Sequence, residues 1–188
     1  GGMVGNNSSG TTSIQYGVTR DKIVSMKTIL SDGSEVEFKG LSKAAFQDKL
    51  HLTTLEGKLY TEVYKELSDK DIQKEIETEF PKPEIHRRNT GYAVDELLWS
   101  NTFGKKERNF NFCDLLSGSE GTLAFTTEIT LQLDDLPPIA GVMVASHYKS
   151  IDDCLNDVAN TMEHNLYTCE MMDKIILDCT KNNATQIK

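Results

Sequence analysis

Asp32-Gly33 restricts the fold of this chain more than any other feature. A tight two-residue hairpin turn puts its central residues at positive φ, which Asp and Gly tolerate and most residues do not. The dipeptide stands between two runs of strand character. Ile23 to Leu30 carries Val24, Met26 and Thr28 on one face, and Ser34 to Phe38 places Val36 and Phe38 on one face. The spacing predicts an antiparallel β-hairpin, and everything else in the chain has to be arranged around it.

Residues 42–80 read as helical. Ser42 caps a short helix reaching Leu50, and Thr53 with Glu56 three residues later forms a capping box. The helix that follows carries Leu55, Leu59, Val63 and Leu67 as one apolar stripe. Ser68 or Asp69 caps a further helix with Ile72 and Ile76 inward, and Pro81 and Pro83 end it. A short helix is expected from Ala93 to Leu98, a polar loop over 100–109, and a long strand from Thr122 to Leu133. Beyond the linker Leu136-Pro137-Pro138, strand, helix, strand and helix are expected at Ala140–His147, from Ser150 to about His164, at Tyr167–Met171 and at Asp173–Thr180. That run reads as half of a second unit, stopping as if cut. The class is α+β, with domains at 1–138 and 139–188.

Charge and cysteine usage narrow the function. Lys and Arg number 20 against 29 Asp and Glu, a net charge of -9, so the chain lacks the basic surface that a general nucleic-acid binder needs. No run approaches the roughly 20 apolar residues that span a bilayer, and the N-terminus has neither the basic flank nor the apolar core of a signal peptide. Cys113, Cys154, Cys169 and Cys179 show no C-x-x-C spacing, and the four histidines are far apart. No metal site is expected, and free thiols fit a reducing, cytoplasmic setting.

Three stretches carry candidate chemistry. Gly1 to Gly17 holds five glycines, the pair Asn6-Asn7 and no charge. It reads either as a loose terminus, with Gly1-Gly2 an expression scar, or as a loop whose backbone N–H groups meet a large polar ligand. Ser117 to Thr122 has the same character but leads into a strand, unlike a phosphate loop that opens a helix. Arg87-Arg88 reads either as surface charge or as a carboxylate clamp, with Asn89, Thr90 and Tyr92 adding neutral hydrogen bonds.

In order, these pieces resemble the FAD-linked oxidoreductases of the vanillyl-alcohol oxidase (PCMH) type. The branch is that of D-2-hydroxyglutarate dehydrogenases, D-lactate dehydrogenases and glycolate oxidase flavin subunits. The matching residues are Gly1, Gly2, Asn7 and Gly10, then Tyr16-Gly17 with Asp21, then Asp32-Gly33. They continue with Arg87-Arg88-Asn89-Thr90-Gly91-Tyr92, and with Gly118 to Leu123 followed by Thr127-Glu128. The resemblance spans residues 1–128. It implies the second FAD-binding subdomain, an antiparallel sheet with flanking helices, followed by the first half of a ferredoxin-like cap. The first FAD subdomain would lie upstream, and an iron–sulfur cluster elsewhere in the full-length chain.

It also implies site residues. Gly1, Gly2, Asn7, Ser8, Ser9 and Gly10 would line the flavin side, and Gly118, Ser119, Glu120 and Gly121 would contact FAD from the other loop. Arg87 or Arg88, with Thr90, would hold the carboxylate of a small 2-hydroxy acid while a hydride equivalent passes to the flavin. The electron acceptor and the general base stay unassigned. Two departures stand out. The arginine that such dehydrogenases place four residues before the threonine is His86 here, and the second loop ends Leu123-Ala124-Phe125, where a glycine and a branched aliphatic are usual. Two rival readings remain: a partner-docking module built on residues 42–80, and a flavoenzyme of the same fold with an amino-sugar nucleotide or aromatic alcohol as substrate.

Overall fold

The computed structural model describes residues 1–85, 87–89 and 91–181, so the expectations placed on His86 and Thr90 lie outside the described residues. The chain divides into two compact units. One comprises Gly1–Ser9 with Gly17–Asp134; the other comprises Gly10–Tyr16 with the chain from Asp135 on. Two one-turn helices open the chain: α1 (Gly2–Gly5) in the first unit and α2 (Ser13–Tyr16) in the second.

The first unit is built on the hairpin. Strands β1 (Ile23–Ile29) and β2 (Glu35–Lys39) pair antiparallel, with Met26 opposite Phe38 and Thr28 opposite Val36. The turn takes three residues, not the expected two: Leu30 N donates to Ser34 O and Gly33 N to Leu30 O, both at 2.9 Å. Only Gly33 in it is at positive φ (83°), and Asp32 Oδ1 closes the loop by accepting from Ser34 N and Oγ at 3.0 and 2.6 Å. Met26, Thr28 and Phe38 are buried as the alternation requires, but Val24 is half exposed. Strand β3 (Phe125–Leu131) pairs antiparallel with the other edge of β1, giving the order β2-β1-β3. It is shorter than the expected Thr122–Leu133, because Thr122 is held in a turn: its N and Oγ1 both donate to Ser119 O.

Helices α3 (Lys43–Leu50), α4 (Leu55–Ser68) and α5 (Lys70–Glu79) cover residues 43–79. Ser42 caps α3 as expected. Three expectations need correction. Thr54, not Thr53, caps α4, its Oγ1 accepting from Gly57 N at 3.4 Å. Of the expected stripe on α4, Leu67 is buried and Leu55 and Val63 pack against the core, but Leu59 is exposed and Gly57 and Tyr60 are the buried residues beside them. The aromatic Tyr60 buries more apolar area than a leucine, so the helix turns toward it. On α5, which Asp69 caps, Ile72 is exposed and Gln73 is buried in its place, its Nε2 donating to Leu67 O at 2.7 Å.

Residues 100–109 lead through a 3-10 turn at Asn101–Phe103 to Phe110, whose carbonyl accepts from Leu41 N at 2.8 Å. Phe110 and Phe112 complete an aromatic core. Phe46 lies 4.7 Å from Phe110 in edge contact, Tyr60 lies 4.7 Å from Phe112, and Phe38 lies 5.2 Å from Phe112. Such ring pairs add about 0.5–1.5 kcal/mol each beyond the area they bury. Helix α7 (Cys113–Leu116) packs on β1 and leads into the second glycine loop, and helix α6 (Val94–Leu98), which follows the arginine segment, packs on α7 and α5.

The second unit contains α2, α8 (Ile151–Thr161) and α9 (Lys174–Thr180). Ser150 and Asp173 cap α8 and α9, and both helices begin where the sequence places them. The strands expected at Ala140–His147 and Tyr167–Met171 are absent: neither segment has a ladder partner, and a strand exists only through hydrogen bonds to a neighbour. None of the unit's described residues is buried, and Ile139, Val142 and Met143 are almost fully exposed.

Candidate functional site

The opening glycine stretch is ordered by its neighbours. After α1 the chain turns through Asn7 at φ 48°, a left-handed conformation in which asparagine is among the tolerated residues. Gly118 (φ 90°), Glu120 (φ 55°) and Gly121 (φ 74°) bend the second loop in the same sense. The two loops then bond to each other along the backbone, Gly118 N donating to Val4 O at 3.0 Å and Glu120 N to Gly5 O at 2.8 Å. A third bend has a different cause. Gly17 (φ 75°) faces the Asp21 carboxylate so closely that a Cβ would stand 2.4 Å from Oδ2, and that carboxylate caps Val18 N at 2.8 Å.

Asn7 sits at the centre of this arrangement, with no exposed surface. Its Oδ1 accepts from Arg20 N at 2.8 Å and from Ser117 Oγ at 3.4 Å. Its Nδ2 donates to Asn89 Oδ1 at 3.2 Å and to Arg88 O at 3.5 Å. Both ends of the amide are therefore used within the protein. Arg20, also buried, clamps the second loop: Nε donates to Asp114 O at 2.7 Å and Nη2 to Ser117 O at 2.8 Å. A Cβ on Gly118 would lie 3.2 Å from that Nη2, which explains glycine there on two grounds, φ and space. Tyr92 OH and Thr122 Oγ1, 2.7 Å apart, make a further link between the arginine segment and the second loop.

Behind these loops three guanidiniums meet three carboxylates. Arg88 pairs with Asp95 and with Glu96 Oε1 at 2.7 Å. Arg108 pairs with Glu96 Oε2 at 3.1 Å and Asp114 Oδ2 at 2.7 Å. Burial draws the Arg20 guanidinium below its ordinary value, although Glu96 and Asp114 oppose the shift. Burial also acts to lower Arg88, but the bonds and charges of Asp95 and Glu96 outweigh it and hold it above. Burial works to raise Glu96, and Arg108 and Arg88 more than offset it, holding the carboxyl below its usual range. For Asp114 burial wins, and its carboxyl is pushed up to about 6 despite Arg108 and Arg20.

The arginine pair divides accordingly. Arg88 is spent on Asp95 and Glu96, with its side chain 11% exposed. Arg87 is exposed and has no carboxylate partner among the described residues. Gly1 and Gly2 are exposed with open space where a Cβ would stand, as is Gly121. Ser8 and Ser9 are half-buried beside them, and the Ser8 carbonyl accepts from Thr19 N and Oγ1. Ser119 is buried with its Oγ on Leu116 O, and Glu120 is exposed. Gly10 lies in the second unit, where its carbonyl starts α2 by accepting from Ser13 N and Oγ. Sequence reasoning missed Arg20, Asp95, Glu96, Arg108 and Asp114. Only Arg20 carried a signal, as a lone cation inside the Tyr16-Gly17 to Asp21 motif. Among the described residues no cluster of His, Cys, Asp and Glu is arranged to hold a metal, and no helix is long and apolar enough to cross a membrane.

No family model matches the chain, and no solved structure does. Curated proteins do. The chain is 27% identical over 183 residues to a D-2-hydroxyglutarate dehydrogenase of Pantoea ananatis, a match covering 97% of the chain and 17% of that protein. It is 29% identical over 177 residues to the D-2-hydroxyglutarate dehydrogenase of Pseudomonas putida, covering 94% and 16%. A D-lactate dehydrogenase of Anaerostipes hadrus is 29% identical over 89 residues, 46% of the chain and 18% of that protein. The chain thus spans about a sixth of the length of the curated relatives it matches.

Proposed function

We propose that this chain, homologous along nearly its whole length to D-2-hydroxyglutarate dehydrogenases, supplies one wall of an FAD site in a longer oxidoreductase acting on a small D-2-hydroxy acid. The observation that carries the reading is the joining of the two glycine loops and the arginine segment by Asn7, Arg20 and Tyr92. The residues fit a flavin. Gly1, Gly2 and Gly121 leave space where side chains would otherwise stand, and the first loop is uncharged, so backbone groups can approach a flat ring and its phosphates. When bound, FAD supplies the acceptor for the hydride equivalent that leaves the acid.

The protein's own part is recognition and orientation. Arg87, exposed and unpaired among the described residues, offers a planar fork of donors to a carboxylate, with a geometry that lysine does not reproduce. Arg88 holds the backbone that carries it, through Asp95 and Glu96. Gly1, Gly2, Ser8, Ser9, Gly118, Glu120 and Gly121 form the flavin-facing wall, buried Ser119 holds the turn of the second loop behind it, and the chain from residue 139 belongs to the substrate cap.

The test uses the full-length polypeptide that carries this chain. Its visible spectrum is recorded without oxygen, and D-2-hydroxyglutarate, D-lactate and glycolate are added in turn. A flavin band bleached by one of them is the expected result and selects the substrate. A band that none bleaches retains the cofactor and refutes the substrate class. The absence of any flavin band after FAD is supplied refutes the reading altogether.

A further inference from the structure

The contacts around Asn7 form a closed circuit. Arg20 donates to Asp114 O; Asp114 pairs with Arg108; Arg108 pairs with Glu96; Glu96 pairs with Arg88; the Arg88 carbonyl accepts from Asn7; and Asn7 accepts from Arg20 N. Three of these six links join side chains to each other, and two tie the Arg20 and Asn7 side chains to the Asp114 carbonyl and the Arg20 N–H. The remaining link, from the Asn7 amide to Arg88 O, with its companion bond to Asn89 Oδ1, fastens the arginine-bearing backbone to the glycine loops from inside. None of the Arg87, Arg88 or Asn89 backbone N–H groups takes part in a backbone hydrogen bond among the described residues. The position of that backbone therefore depends on side-chain anchors, and only Asn7 among them also reaches both loops.

We propose that Asn7 is a positioning residue for substrate: it touches neither flavin nor acid, but its amide sets where Arg87 stands relative to the flavin-facing wall. The inference rests on the reading given above and deepens it. The alternative role, flavin contact by the Asn7 side chain, would need an exposed polar atom, whereas this amide is fully buried and bonded at both ends. Its left-handed backbone makes Asn7→Gly the appropriate deletion, since glycine keeps that conformation while removing the amide. Asn89→Ala cuts the same bond from the exposed side and leaves the bonds from Asn7 to Arg20 and Ser117 in place.

The experiment is a double-mutant cycle in the full-length polypeptide, comparing the unsubstituted protein with Asn7→Gly, Asn89→Ala and the pair. Two quantities are read: the rate of tryptic cleavage after Arg87 and Arg88, which needs no ligand, and the KM and kcat for whichever 2-hydroxy acid bleaches the flavin. Asn89→Ala, which removes one neutral hydrogen bond, is expected to raise cleavage and KM about 5–10-fold with kcat within twofold and flavin content unchanged. Asn7→Gly, which also gives up the bonds to Arg88 O, Arg20 N and Ser117 Oγ, is expected to raise both by at least as much. The double variant is expected to be no worse than the more severe single. Unchanged cleavage, effects that multiply in the double variant, or cleavage that rises while KM stays constant would each overturn the proposal. If the unsubstituted protein holds no flavin, the functional reading fails separately. The cleavage cycle then decides alone: a non-additive rise sustains the lock, and a null or multiplicative result overturns it.

Discussion

Adjacent arginines of identical chemistry should fail in opposite ways. Arg88→Ala strips Asp95, which is 1% exposed, of its guanidinium partner and leaves Glu96 with Arg108 alone. Removing one partner of a buried ion pair leaves an uncompensated charge and costs about 3–5 kcal/mol. At roughly 2–4 °C per kcal/mol for a chain of this size, the midpoint of thermal unfolding should fall by about 6–20 °C. Arg87→Ala removes an exposed side chain without a carboxylate partner among the described residues, so stability should stay within about 0.5 kcal/mol. Its cost should appear in recognition: losing a charge-assisted pair of hydrogen bonds, worth about 1.5–3 kcal/mol, weakens acid binding roughly 10–150-fold. Thermal unfolding followed by circular dichroism and acid titration followed by the flavin spectrum measure the two effects. The reasoning is refuted if Arg88→Ala leaves the midpoint unchanged and raises KM, or if Arg87→Ala lowers the midpoint by several degrees.

Other expectations concern single sites. Asp114, lifted to about 6 chiefly by burial, has a folded value above its usual 3.8, so its contribution to stability is complete below about 4 and is lost as pH rises through 6. Urea unfolding should therefore show stability relative to Asp114→Asn falling by roughly 3 kcal/mol between pH 4 and 7, and a flat or rising difference contradicts this. Gly57→Ala should destabilise despite the ~1 kcal/mol helix preference of alanine, since its Cβ would stand 2.1 Å from Leu52 O; a raised unfolding midpoint would contradict the packing. Burial pushes the Cys113 thiol up to about 12 and Sγ donates to Phe38 O, so iodoacetamide should modify exposed Cys179 in the native protein and Cys113 only after unfolding.

Local signals carried the parts of the fold that local chemistry decides. Asp32-Gly33 encodes a turn in its own backbone, and Ser42, Ser150 and Asp173 announce helix starts because a side-chain oxygen there satisfies a nearby N–H. The face of α4 was legible at Leu55, Val63 and Leu67 but not at its middle, because four-residue spacing of aliphatics cannot weigh Tyr60 against Leu59 without knowing that Phe46, Phe110 and Phe112 await it. The second unit's expected strands failed for a similar reason: alternation describes a surface that suits a sheet, but the ladder partner is not written in the segment. At the candidate site, glycines and asparagines located the loops. The division of labour between Arg87 and Arg88 depends on Asp95 and Glu96, which carried no signal on a short helix several residues away.

The central claim is that the joined glycine loops form a flavin-facing wall, and photolabelling tests it most directly. The full-length polypeptide would be loaded with an azide-bearing FAD analogue, irradiated, digested and mapped by mass spectrometry. The account expects label within Gly1–Ser9 and Ser117–Thr122, reduced by excess FAD. Label confined to other segments while the analogue is bound would contradict it.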